Sequence, residues 1–127
     1  MKMTNTPTTE KENKIKKYLD KGDQEQAKDL DLCIMNDYKY YSIVKKLFES
    51  QFYKRYLQDN FNYYLFLQIF INTIDYILND KQFTRYYTYS KKNVNVATRF
   101  LTAQNIVDYF IEEARTEAEA NGFYFCI

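Results

Sequence analysis

Apolar and polar positions alternate along this chain with helical spacing for most of its length. Residues 9–20, "TEKENKIKKYLD", carry only Ile15, Tyr18 and Leu19 as an apolar edge, predicting a short helix that docks weakly if at all. Gly22 stops it, and a Thr after Pro7 supplies its cap, leaving residues 1–8 as a flexible tail ahead of one domain over 9–127. Asp23 then caps a second helix through Met35, with Ala27, Leu30 and Ile34 on one face. The "KGDQEQAKDL" junction resembles the turn of a tetratricopeptide-type helical hairpin. No second copy follows about 34 residues on, so no repeat array is implied.

A third helix is predicted over 37–58, where Tyr41, Val44, Phe48 and Phe52 recur on one face beside Tyr40, Ile43 and Leu47. Asp59 interrupts it and caps a fourth helix over 60–79. There the polar residues Gln68, Asn72, Asp75 and Asn79 form one narrow stripe on an otherwise apolar cylinder. Such a helix must be covered on most sides, as the central helix of the fold or as half of a homodimer interface. Tyr64, Leu67, Ile71, Ile74 and Leu78 have the spacing of a helix–helix seam, and packing within the chain is the favoured reading.

After Asp80 the texture changes. "FTRYYTYS" and "NVNVATRF" are rich in β-branched and aromatic residues and flank "KKN", predicting a β-hairpin over 83–100 with Asn93 in its loop; a continuous helix is the rival. Thr102 then caps a last helix with Ala103, Val107, Phe110, Ala114 and Ala118 inward, ended at Asn121-Gly122. The apolar tail "FYFCI" is expected to add a short strand beside the hairpin or to plug the core. The expected fold class is therefore mainly α (α+β): a small bundle of four to five helices with a C-terminal β-hairpin.

Composition narrows the function. The 127 residues and 46% hydrophobic content supply one core, and only two Gly and one Pro leave little room for irregular loops. The abundance of Asn, Lys, Ile and Tyr is what an A+T-rich coding sequence gives, as in a low-GC bacterium or its phages and plasmids. Cys33 and Cys126 stand far apart and read as buried thiols in a reducing compartment. No apolar leader begins the chain, and the longest apolar run is broken by Gln68, Asn72 and Asp75, so a cytoplasmic protein without a membrane partner is expected.

There is no His, which removes the usual general base and the commonest transition-metal ligand, and both Gly residues are isolated. A tyrosine nucleophile would need a clustered Arg–Lys–Arg constellation, which is missing. Asp108, Glu112, Glu113, Glu117 and Glu119 read as a solvated acidic face. No enzyme, cofactor or metal site is expected.

Binding remains. Net charge is +1, too small for a generic nucleic-acid binder and opposite to that of an acidic DNA mimic, yet it is unevenly spread. Residues 81–99 sum to +5, residues 37–58 to +3 and residues 103–120 to −4. The basic stretches are interleaved with Tyr, which suits either phosphate and base contacts or a protein interface anchored by Tyr and Arg. A helical body with a basic hairpin is similar in outline to a winged helix-turn-helix, but the helix before the hairpin is too apolar for a major groove. The favoured expectation is an inhibitor or adaptor, encoded by a phage or other mobile element, that docks on a larger host protein of nucleic-acid processing or defence. Nucleic-acid binding through the hairpin and the third helix is the alternative. Lys45, Lys46, Lys54, Arg55, Arg85, Tyr87, Lys91 and Lys92 are the candidate contact residues for either.

Overall fold

The computed structural model describes residues 7–56 and 62–122, apart from the side chains of residues 7, 8, 53, 55 and 56. These residues form six helices: α1 (Pro7–Lys21), α2 (Gln24–Met35), α3 (Tyr38–Tyr56), α4 (Tyr63–Asn79), α5 (Lys81–Tyr86) and α6 (Val96–Ala120). The long α6 is the spine, packed against α1, α2, α3 and α4, while α4 also meets α1, α3 and α5. α1 begins at Pro7, inside the expected tail, because proline's fixed φ and missing N–H suit a first helical turn. Asn62, not Asp59, caps α4, its side chain accepting the Leu65 N–H at 3.1 Å; Asp59 itself and the tail after Gly122, with Cys126, lie outside the described residues.

The expected β-hairpin over 83–100 is not formed: among the described residues there is no strand. Lys81–Tyr86 is a short helix, residues 87–95 are a turn and loop, and Val96 onward is already α6. Its burial follows a helical rather than an alternating period, with Phe83 fully buried and Tyr87 one turn on packed against the core. Asn93 closes the loop through its side chain, accepting the Ser90 N–H at 2.8 Å and donating to the Thr88 carbonyl at 3.0 Å.

Contacts from far along the chain settle α6's first turns. The Thr98 hydroxyl accepts the Asp23 backbone N–H at 3.0 Å, and Asn95, not Thr102, is the cap, accepting the Thr98 N–H at 2.8 Å. Thr102 lies inside the helix, fully buried, its hydroxyl donating to the Thr98 carbonyl at 3.0 Å. Gly22 does more than stop α1: a Cβ there would stand 2.8 Å from the Ala97 carbonyl oxygen, so its absence lets the α1–α2 turn seat on α6. Strand propensity is a preference for a half-buried pleated surface, and it yields where such long-range contacts bury both faces.

α1 is also firmer than its composition promised. Ile15 is 2% exposed, and Tyr18 stacks on Phe100 with ring centroids 5.3 Å apart, so two or three well-placed apolar side chains suffice against an aromatic partner. Asp23 caps α2 as expected, accepting the Gln26 N–H at 3.0 Å, and Ala27, Leu30 and Ile34 are buried. In α4 the seam residues Leu67, Ile71, Ile74 and Leu78 are buried within the chain, with Phe66, Phe70 and Ile77 beside them. α6 ends as the Asn-Gly pair suggests, Gly122 taking the left-handed φ of 84°. No helix among the described residues is long and apolar enough to cross a membrane.

Candidate interaction surface

Asp80 organises the corner where α3, α4 and α5 meet. Its extended backbone (φ −74°, ψ 126°) ends α4 and starts α5, so the chain turns sharply without glycine. Rather than capping α5, its carboxylate accepts the Tyr40 hydroxyl at 2.5 Å and the Lys39 ammonium at 3.5 Å, and Lys39 also reaches Gln82 Oε1 at 2.8 Å. The Tyr40 hydrogen bond, helped by Lys39, holds the Asp80 carboxyl below the usual carboxylate range; burial, with that same bond, pushes the Tyr40 hydroxyl up. Tyr40 meets Phe83 edge-on at 5.0 Å, and Phe83 meets Tyr87 at 4.6 Å. The Tyr87 hydroxyl donates to Asp37 Oδ2 at 2.9 Å, so α5 is clamped to the start of α3 at both of its ends.

That clamp decides which side chains are presented. Phe83 points inward, which turns Arg85 outward, two residues on along the helix. Tyr38, Tyr76 and Tyr86, exposed by 81%, 63% and 66%, stand on the three elements that meet here. Among the described residues neither Lys81, Arg85 nor Lys92 pairs with a carboxylate. Large exposed rings beside unpaired cations are the ingredients of an interface anchor.

The sequence candidates divide. Arg85 belongs to this corner, and Lys91 and Lys92 are exposed on the turn that follows α5. Tyr87 does not present itself: it is committed to Phe83 and Asp37, and burial pushes its hydroxyl up. Lys45 lies beside α6, 5.7 Å from the Tyr41 ring and in a small groove with Phe110 and Glu113, so its charge is answered within the fold. Lys46 is exposed on the same helix but about 100° around from Lys45. Lys54 is exposed roughly 20 Å along α3 from Lys39, away from the corner. The Arg55 side chain lies outside the described residues.

Arg99, counted in the basic stretch, is turned inward. It is 9% exposed, its Nη1 donates to the Val94 carbonyl, and its Nε lies 2.7 Å from Asp75 Oδ1. These last two atoms are buried and oriented as an ion pair rather than as an aligned hydrogen bond. Lys91 Nζ stands 4.0 Å from the other oxygen of the same carboxylate. Two of the five cations of 81–99 therefore face Asp75. Sequence reasoning missed Tyr38, Tyr76, Tyr86, Lys39 and Lys81; the available signal was Tyr76, which falls off the apolar seam of α4.

A larger open groove, of about 960 Å³, lies elsewhere, between α2 and α6. Glu25, Lys28, Asp31, Asp108 and Tyr109 line it. Burial pushes the Asp31 carboxyl up to about 6, with no hydrogen-bond or ion-pair partner among the described residues. Desolvation pushes Asp108 up as well, against the Tyr63 hydroxyl that donates to it at 2.5 Å. Among the described residues no group of three or more His, Cys, Asp or Glu is arranged to hold a metal ion. No family model, curated protein or solved structure matches the chain.

Proposed function

We propose that this protein is a non-enzymatic binding module, an inhibitor or adaptor that docks on a larger protein through the α3–α4–α5 corner. The observation that carries the reading is that α5, tied to α3 at both ends, presents exposed Tyr86 with unpaired Lys81 and Arg85, while exposed Tyr38 and Tyr76 stand on the neighbouring α3 and α4. Tyrosine supplies contact area at low entropic cost, and arginine adds directional hydrogen bonds to partner carboxylates and carbonyls. The clamp through Asp80, Tyr40 and Tyr87 keeps α5 rigid, so little ordering entropy is lost on docking.

Nucleic-acid binding is the second reading, and the spread of charge counts against it. With Arg99 and Lys91 facing Asp75, three cations of the basic stretch remain free for phosphates, which makes a small electrostatic footprint. The test pairs two assays on the full chain. An immobilised wild-type protein and its Arg85→Ala/Tyr86→Ala variant are compared for capture of a defined host protein, with Lys54→Ala as control. Loss in the double variant alone, with unchanged circular dichroism, supports the corner; equal capture by all three sinks it. Anisotropy titrations with random DNA and RNA at two salt concentrations decide the rival: tight binding that falls steeply with salt would replace the protein-docking reading.

A further inference from the structure

The polar stripe of α4 has no structural use beyond Asp75. Gln68 and Asn72 are exposed and make no hydrogen bond within the described residues. They are nevertheless more than a solvated face, because with Asp75 they form one wall of a groove of about 360 Å³ between α1, α4 and α6. The floor is apolar and partly aromatic: Ile15, Ile71, Val96 and Phe100, with Tyr18 stacked on Phe100. The opposite rim carries Lys11 and Lys14, one turn apart on α1 and paired with no carboxylate among the described residues. Glu12, between them in sequence, is engaged elsewhere, accepting Asn62 Nδ2 at 2.7 Å.

Each wall asks for a different part of one ligand. Arg99 occupies Asp75 Oδ1 and fixes the carboxylate. Oδ2 is 4.0 Å from Lys91 Nζ, a loose ion pair rather than a hydrogen bond, so Lys91 is biased towards the carboxylate while the Oδ2 lone pairs can still accept from a ligand. The Asn72 and Gln68 amides add donors and acceptors along the same line, spanning about 10 Å of helix from Gln68 to Asp75. What the floor offers a planar ring is chiefly half-buried Tyr18 and Val96, since Ile15, Ile71 and Phe100 are at most 3% exposed, and the lysine rim suits an anion. The volume falls at the small end of ligand sites. An aliphatic anion would use the floor and the lysines but leave the amide wall unanswered.

We propose that this groove binds a nucleoside monophosphate whose base carries an exocyclic amino group, the amino edge on Asp75 and Asn72 and the phosphate on Lys11 and Lys14. The groove shares no residue with the α5 corner, so the two readings stand or fall separately. The test is calorimetric titration of the full chain with the monophosphates of adenosine, guanosine, cytidine, uridine and inosine, and with inorganic phosphate. At least one of the three amino-bearing nucleotides binds saturably, about tenfold or more tighter than uridine and inosine monophosphates, which lack the amino group. Lys11→Ala/Lys14→Ala weakens it by about tenfold, and Asn72→Leu erases the preference among bases; all three positions are exposed, so far-UV circular dichroism stays unchanged. Absence of saturable binding at about 5 mM nucleotide overturns the proposal. So does inorganic phosphate binding as tightly as the nucleotides, or affinity that neither variant changes.

Discussion

The two halves of α6 are the same helix held by opposite means. From Ala97 to Ala103 every residue is buried, including Thr98, Arg99 and Thr102, and each of these polar groups has a partner. Beyond Phe110 the helix is mostly exposed and carries Glu112, Glu113, Glu117 and Glu119, with no basic residue in its last turn. Glu117 and Glu119 sit in the last turn, at the negative end of the helix dipole, where they repel it, and Arg115 offsets only Glu112 through an exposed pair of small worth. Ala114, Ala118 and Ala120 supply intrinsic helix propensity instead. Tertiary contact makes the first half helical against its local preference, whereas local preference sustains the second half with little tertiary help.

If that contrast is right, damage should be graded along the helix. Phe100→Ala removes a ring 3% exposed from the floor of the first half and should cost about 3–5 kcal/mol in urea unfolding. A loss below about 1 kcal/mol would mean that this half is not anchored by packing. Asp75→Ala strands the Arg99 guanidinium and should cost about 2–4 kcal/mol, less than a fully buried pair because the Asp75 side chain is 25% exposed. Replacing both partners with apolar residues of similar volume should recover much of that loss, which separates a stranded charge from lost packing.

The midpoint of the helix carries the next effect. Burial raises the folded-state pKa of Asp31, across the α2–α6 groove, from its ordinary 3.8 to about 6. Folding therefore takes up a proton between those values, and this group's contribution to stability improves as pH falls from 6 towards 4 and is a penalty at neutral pH. Asp31→Asn should add about 1 kcal/mol at pH 7, after discounting for solvent screening, and flatten the stability–pH slope between those limits. An unchanged slope would show that the carboxyl is fully solvated. The smallest effect belongs to the exposed end: Glu117→Lys and Glu119→Lys should each stabilise by about 0.3–0.5 kcal/mol at low salt, and the gain should shrink as salt is added.

The same contrast explains what could be read beforehand. α2, α3 and α4 were legible because their apolar residues recur at helical spacing and Asp23 is an unambiguous cap. The stripe on α4 was legible too, although its polar wall acquired a meaning only when α1 and α6 closed a groove beside it. Segment 83–100 was misread because Tyr, Thr and Val alternate there as on a pleated surface, while the groups that overrule them, Gly22, Asp23 and Ala27, lie some seventy residues earlier. The binding surface was legible in residue type and not in direction. Arg85, Arg99 and Tyr87 look alike as basic or aromatic members of one stretch, and the fold turns the first outward and the other two into the core.

By itself, then, the sequence determined a mainly helical chain, though not the helix and loop that replace the expected hairpin, with an apolar fourth helix marked by a polar stripe and a separation of basic from acidic segments. These are local properties, set by spacing, caps and composition. Only the tertiary structure decided that α6 starts at Val96, that Arg99 and Lys91 face Asp75, and that Tyr40 and Lys39 of α3 converge on Asp80 at the α4–α5 corner. Those outcomes depend on which distant groups meet, and a preference of a few tenths of a kcal/mol per residue yields when a buried contact of one or more kcal/mol requires the other conformation.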